Sequence, residues 1–100
     1  MTKQEYLIQC LSEEASEVAQ AASKCLRFGL DNEWPGYNGT ALDRMLEEVY
    51  DFLAVFEMIE KEISGADVPY DRAIKMMCAK KNKVASMMEY SRARGVLKDE

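Results

Sequence analysis

Residues 40–63, TALDRMLEEVYDFLAVFEMIEKEI, decide the fold, because they form a long helical pattern that is apolar over about half of its circumference. The apolar positions are Ala41, Leu42, Met45, Leu46, Val49, Phe52, Leu53, Val55, Phe56, Ile59 and Ile63. A helix with so wide an apolar surface is normally central, and two neighbours from the same chain would hardly cover it. The pattern therefore predicts a homodimer in which helices of both chains pack together. The alternative is a loosely packed monomer with an unusually large exposed patch.

Another helix, the first in the chain, precedes this central one. Thr2 and Glu5 have the spacing of a capping box, and the helical pattern runs from Thr2 to about Arg27. The segment from about Phe28 to Gly39 is rich in Gly, Pro, Asn and Asp, which predicts a connection without regular structure.

The third helix is expected to start after Asp67, with Pro69 in its first turn, and to stop near Gly95. The sequence thus predicts an all-α fold in which three long antiparallel helices form a bundle of four or more helices on homodimerisation. The 100 residues are expected to form one domain, with a frayed tail from about Val96.

Composition excludes several classes of function. The chain carries 18 acidic and 13 basic residues, a net charge of −5, which argues against a general nucleic-acid or anionic-membrane binder. It contains no histidine, which removes Ser-His-Asp triads and histidine-based metal sites. Its three cysteines lack CxxC spacing, and no apolar run is long enough to span a bilayer. We therefore expect a cytoplasmic protein with reduced thiols.

Four carboxylates form two pairs of equal spacing on apolar helix faces. Glu14 falls near the centre of the apolar stripe of the first helix, and Glu17 lies at its edge. Glu48 and Asp51 border the apolar face of the central helix in the same way. Interior carboxylates normally protonate, pair or bind a metal. Single pairs three residues apart are common on solvated helices, but two pairs on separate apolar stripes predict an oxygen-ligand site for Mg²⁺ or Mn²⁺.

Basic and aromatic residues accompany these carboxylates. Lys80 falls in the middle of the apolar stripe of the third helix, with Lys83 at its edge, and Lys24 and Arg27 follow Glu17 on the first helix. Such cations can neutralise the carboxylates or bind a phosphate. An equally good explanation of the position of Lys80 is that its side chain extends along the apolar stripe and reaches solvent at the helix surface. Trp34 is a candidate platform for a nucleotide base, or a cap on the end of the bundle.

The acidic pattern Glu13-Glu14-x-x-Glu17 followed by Glu48-x-x-Asp51 resembles the motif of the MazG-like, all-α nucleoside triphosphate pyrophosphohydrolases, especially short phage-type members. The stretches EEASEVAQAASKCLRFGL and LEEVYDFLAVFEMIE carry the resemblance, which covers roughly residues 5 to 90. The interval between the two pairs is somewhat longer than is usual in that family.

The resemblance implies Mg²⁺-dependent hydrolysis of a nucleoside triphosphate, with a deoxynucleoside triphosphate as the expected substrate, to a monophosphate and pyrophosphate by a homodimer or homotetramer. It implies that Glu14, Glu17, Glu48 and Asp51 bind the metal, and that Glu14 or Glu17 orients or deprotonates the attacking water. Lys24, Arg27, Lys80 and Lys83 would bind the outer phosphates. Two alternatives remain. One is an enzyme of the same class that releases inorganic phosphate or acts on a diphosphate, and the other is a non-enzymatic helical interaction module in which carboxylate–lysine pairs are structural.

Overall fold

The computed structural model describes the backbone of residues 1–64 and 70–98, and the side chains of residues 1–62 and 71–98. Within these ranges it contains three helices, α1 (Lys3–Phe28), α2 (Ala41–Ser64) and α3 (Tyr70–Ala93), and no strand. The all-α prediction is confirmed. Residues predicted to start the third helix, Asp67 and Pro69, lie outside the described residues.

Helix α1 begins and ends where local chemistry dictates. The Thr2 hydroxyl accepts a hydrogen bond from the Glu5 backbone N–H, and the Glu5 carboxylate accepts one from the Thr2 N–H, which confirms the predicted capping box. At the other end Gly29 adopts a φ of 91° and donates its N–H to the carbonyl of Cys25. Glycine suits this position because a side chain there would be strained, and a Cβ would lie 2.5 Å from the Asn32 side-chain nitrogen.

Helices α1 and α2 pack in antiparallel directions. The Lys3 ammonium at the start of α1 lies 3.1 Å from the Glu62 carboxylate near the end of α2. At the opposite end the Cys25 thiol donates to the carbonyl of Ala41 across 3.0 Å. Among the described side chains of this pair, the buried apolar residues are Leu7, Ala21, Cys25 and Ala41. The register that these contacts define also brings the middle of α1 against the second turn of α2.

The connection between α1 and α2 folds back on itself. Glu33 and Thr40 form an isolated antiparallel bridge, and the Ala41 N–H donates to the carbonyl of Asn32. Thr40 then caps α2 through reciprocal hydrogen bonds with Asp43, each 3.1 Å long. This hydrogen-bonded loop, residues 29–40, carries Trp34 and holds it next to the start of α2.

The chain divides into two compact units, Met1–Ala66 and Asp67–Glu100. Helix α3 belongs to the second unit, and the single domain of the sequence analysis stays a prediction. Beyond α3 the N–H groups of Val96 and Leu97 both donate to the carbonyl of Ser91. The end of the predicted frayed tail, residues 99–100, lies outside the described residues. No helix in the described part of the chain is long and apolar enough to cross a membrane.

Candidate functional site

Three of the four predicted metal ligands come together between α1 and α2. One carboxylate oxygen from each of Glu14, Glu17 and Glu48 lies within 4.8 Å of the other two. Glu14 and Glu17 are one helical turn apart on α1, so both project toward α2, and the antiparallel register brings Glu48 opposite them. Two oxygens on a single Mg²⁺ lie about 3–4 Å apart, so a small contraction of the side chains would let the three share an ion.

Glu48 is the buried member of this group, with 6% of its surface exposed. Burial raises the pKa of the Glu48 carboxyl above its ordinary value near 4.5, the Arg44 guanidinium opposes that rise, and the nearby charges of Glu17 and Asp51 add to it. The neighbouring Glu17 carboxylate can accept a hydrogen bond from the protonated Glu48 carboxyl, which also raises the Glu48 pKa. Since ionised carboxylates only accept hydrogen bonds, this one exists only while one of the two groups holds a proton.

Two buried carboxylate oxygens, Oε2 of Glu14 and Oε2 of Glu48, have no hydrogen-bond partner among the described residues. Leaving a buried acceptor unpaired costs about 1–3 kcal/mol, and more when the group is charged. The two orphaned atoms belong to the cluster of close carboxylates. A divalent cation would satisfy both atoms and offset the repulsion among the three charges, so the donor set fits a hard, oxygen-preferring metal ion.

Asp51, the fourth predicted ligand, is exposed and is not one of the three mutually close carboxylates found among the described residues. It lies one turn after Glu48, and its negative charge helps to raise the pKa of the Glu48 carboxyl. Asp51 therefore acts electrostatically on the cluster, and its role as a direct ligand stays a prediction.

A pocket of about 220 Å³ opens beside the carboxylates. It is lined by Glu17, Gln20, Ala21, Lys24, Trp34, Arg44 and Glu48. The pocket brings two residues of the predicted substrate set, Lys24 and Trp34, to the edge of the acidic cluster. It is thus acidic at one side and basic and aromatic at the other, the arrangement that an anionic ligand with a bound metal ion requires.

Trp34 lies against both cations of the pocket. The Lys24 ammonium is 5.2 Å from the centroid of the indole ring and the Arg44 guanidinium carbon is 5.9 Å from it, both within the range of cation–π attraction. The ring of Phe28 meets the indole edge-to-face, with centroids 5.5 Å apart. Trp34 is therefore fixed by α1 and α2 and helps to hold two positive charges at the pocket wall.

Sequence reasoning missed Arg44. Its side chain reaches Glu48 with an Nη2–Oε1 distance of 2.7 Å, and Glu47 with an Nη1–Oε1 distance of 3.5 Å. The Tyr37 hydroxyl donates to the other oxygen of Glu47 across 2.6 Å. The signal was present in the sequence, because Arg44 precedes Glu48 by four residues and such pairs meet on one helix face.

The remaining predicted cations, Arg27, Lys80 and Lys83, are all exposed. Arg27 is exposed, with its guanidinium carbon 5.8 Å from the centroid of the Phe28 ring, and it does not line the pocket beside the carboxylates. Lys80 and Lys83 are exposed on α3, as are the neighbouring apolar residues Met76, Met77, Val84, Met87 and Met88. The inward position of Lys80 stays a prediction.

Comparison of the chain with protein-family models, with curated proteins and with solved structures found no significant match. Evidence for function therefore comes from the residues of the site themselves.

Proposed function

We propose that the protein is a Mg²⁺-dependent nucleoside triphosphate pyrophosphohydrolase, which converts a nucleoside triphosphate to the monophosphate and pyrophosphate. The observation that carries the proposal is the pair of buried, unpartnered oxygens on Glu14 and Glu48, in a carboxylate cluster beside a basic pocket. The resemblance of the acidic motif to MazG-like enzymes supports the choice of reaction.

In this proposal Glu14, Glu17 and Glu48 hold the metal, with Asp51 as a fourth candidate. When bound, Mg²⁺ would neutralise phosphate charge and lower the pKa of a coordinated water. The most exposed carboxylate of the close cluster, Glu17, also lines the pocket. It is therefore well placed to accept a proton from the water that attacks the α-phosphorus, with Glu14 as the other candidate.

The basic wall of the pocket would bind the outer phosphates. Lys24 is half-buried, and its ammonium group lies near the indole of Trp34, which limits the positions that it samples. A cation held in place binds a phosphate at a lower entropic cost than a freely moving one. Arg27, which does not line the pocket, and Lys80 and Lys83 of α3 remain candidates for substrate binding.

The first experiment is incubation of the purified protein with a panel of canonical and modified ribo- and deoxynucleoside triphosphates, with Mg²⁺ or with EDTA. We expect monophosphate and pyrophosphate to form only with Mg²⁺, as measured by anion-exchange chromatography. Formation of a diphosphate and inorganic phosphate would instead establish the alternative cleavage.

The chain offers a matched control for the carboxylates. Glu13 and Glu14 are adjacent, but Glu13 is exposed and does not belong to the close cluster. We expect Glu14→Gln to lower activity by about a hundredfold or more, as losing a group that stabilises the transition state commonly does. Glu13→Gln should stay within about twofold of wild type, as for a surface substitution. Equal activity of the two variants would contradict the proposed metal site.

The second candidate is a helical interaction module in which the carboxylates are structural. It is favoured by the ion pair between Arg44 and Glu48, which neutralises part of the cluster without a metal. This alternative predicts that Mg²⁺ leaves the unfolding transition unchanged. A metal site predicts that Mg²⁺ raises the melting temperature, because the ion binds the folded state and not the unfolded one.

A further inference from the structure

The pocket contains a second cation besides Lys24, the guanidinium of Arg44. We propose that Arg44 binds the polyphosphate of the substrate directly, and that Tyr37 and Glu47 position it for that purpose. The inference rests on the function proposed above, and it adds three residues to the site that the acidic motif does not contain.

Two carboxylates fix the orientation of the guanidinium. Nη2 of Arg44 lies 2.7 Å from Glu48 and Nη1 lies 3.5 Å from Glu47, so its two terminal nitrogens face different carboxylates. Both partners are on the same helix as Arg44, three and four residues later. The planar group is thereby held across one turn of α2, at the edge of the carboxylate cluster.

Two aromatic rings restrict the same group further. The guanidinium carbon is 5.9 Å from the centroid of Trp34 and 5.5 Å from that of Tyr37. The Tyr37 hydroxyl also donates a hydrogen bond to Glu47, so Tyr37 constrains Arg44 both directly and through its carboxylate partner. The loop between α1 and α2 thus supplies two rings that act on one side chain of α2.

Arg44 retains N–H donors that a ligand can use. A guanidinium has five N–H donors, and the two ion pairs engage its two terminal nitrogens, each of which has a second N–H. The Arg44 side chain is 32% exposed and lines the pocket. An arginine whose sole task was to neutralise Glu48 would not need to keep this exposed surface at the pocket wall. A fork of N–H donors matches the oxygens of a phosphate group.

The test separates binding of polyphosphate from binding of metal. Inorganic pyrophosphate is titrated by calorimetry into the full-length protein in saturating Mg²⁺, and Mn²⁺ alone is titrated in a second series. We expect Arg44→Gln to weaken pyrophosphate binding by about tenfold or more, the value of a lost charge-assisted hydrogen bond. Mn²⁺ affinity should be unchanged or tighter, because a nearby positive charge has been removed.

Further variants keep the test valid if Arg44→Gln folds poorly. Arg44→Lys retains the charge without the fork and should give an intermediate loss. Tyr37→Phe removes only the hydroxyl that holds Glu47, and should weaken pyrophosphate binding by about threefold with Mn²⁺ binding intact. Glu13→Gln, on the surface of α1, serves as the control and should match wild type in both titrations.

The possible results lead to different conclusions. If Arg44→Gln weakens Mn²⁺ binding and leaves pyrophosphate affinity unchanged, Arg44 serves only to support Glu48 and the inference is overturned. A wild-type protein that binds Mn²⁺ but no pyrophosphate would also overturn it, while leaving the metal site intact. A wild-type protein that binds no Mn²⁺ would contradict the proposed function itself.

Discussion

The carboxyl of Glu48 holds its proton more strongly in the folded chain than in water, because burial disfavours its charge and Glu17 and Asp51 add negative charge nearby. The ion pair with Arg44 opposes this effect but does not cancel it. A raised carboxyl pKa means that the folded state binds more protons than the unfolded state in the window above the ordinary value near 4.5. Stability without metal therefore falls as the pH rises through that window.

Glu48→Gln should remove this dependence. The amide is neutral at every pH, so the variant does not lose stability as the pH rises above the ordinary carboxyl value. In EDTA we expect the free energy of unfolding of wild type, relative to the variant, to decline between the ordinary and the raised pKa of Glu48. Urea unfolding at a series of pH values, followed by circular dichroism, measures the difference. Parallel curves for the two proteins would show that Glu48 ionises normally.

Tyr37 provides an independent check of the contacts around Arg44. Its pKa is raised above the ordinary 10.0, chiefly because the neutral hydroxyl donates to the Glu47 carboxylate. We expect Glu47→Gln to lower the Tyr37 pKa toward its ordinary value, since both the charged acceptor and its repulsion of phenolate are lost. An NMR titration of ¹³C-labelled tyrosine Cζ resolves the residue. An unchanged pKa in the variant would mean that the two side chains do not interact in solution.

For individual side chains, the sequence predicted the properties that depend on one helix alone. The position of Glu14 within an apolar stripe follows from the helical repeat and agrees with its half-buried side chain, whereas the adjacent Glu13 is exposed. The sequence did not indicate that Glu48 would be more deeply buried than Glu14, or that Asp51 would lie outside the close cluster. Those properties depend on how α1 and α2 pack, which a single-helix pattern does not contain.

Among the helices and loops, the start of α2 connects the loop of residues 29–40, which carries Trp34 and Tyr37, to the carboxylates. Thr40 and Asp43 exchange hydrogen bonds there, in the manner of a capping box with Asp in the place of the usual Glu or Gln. The next residue, Ala41, is fully buried and accepts the thiol hydrogen bond of Cys25 through its carbonyl. The cap therefore fixes the point at which α2 joins α1.

Thr40→Ala should destabilise the protein by about 1 kcal/mol, the usual cost of losing an N-cap hydroxyl. Thr40→Ser keeps the hydroxyl and should lose less than half of that amount. Chemical unfolding at a fixed protein concentration measures both, and the fixed concentration removes any contribution from association. Equal losses in the two variants would mean that the threonine methyl group, and not the hydrogen bond, stabilises the junction.

The helix ends could be predicted because capping residues and glycines act locally. Thr2 caps α1 as the sequence indicated, and α2 starts next to the predicted Thr40, which the structure shows to be its cap. The structure of the loop of residues 29–40 was harder to predict, because its many helix-breaking residues predicted only that it lacks regular structure. The bridge between Glu33 and Thr40 brings together residues seven positions apart, and the ring contacts of Trp34 join three segments. Such contacts depend on tertiary packing and not on local propensity.

For the molecule as a whole, the central question is what covers the apolar surface that remains exposed. On α2 the exposed fractions are 39% for Leu46, 66% for Tyr50 and 47% for Leu53. These residues follow the spacing i, i+4 and i+7, so they form one continuous stripe along the helix. Glu48 and Arg44 lie on the other side of α2, toward α1. A second chain could therefore pack on this stripe without covering the carboxylates.

The homodimer predicted from the sequence can be tested on this stripe. We expect wild type to sediment as a dimer or a tetramer, and Leu53→Glu to weaken the association by about tenfold or more, because it places a charge in the centre of an apolar contact. Gln9→Glu adds the same charge to the polar face of α1 and should leave the association unchanged. Sedimentation velocity over a range of concentrations, with circular dichroism to confirm helicity, makes the comparison. A wild-type protein that stays monomeric at the highest concentration, with full helicity, would show that one chain tolerates this exposed surface alone.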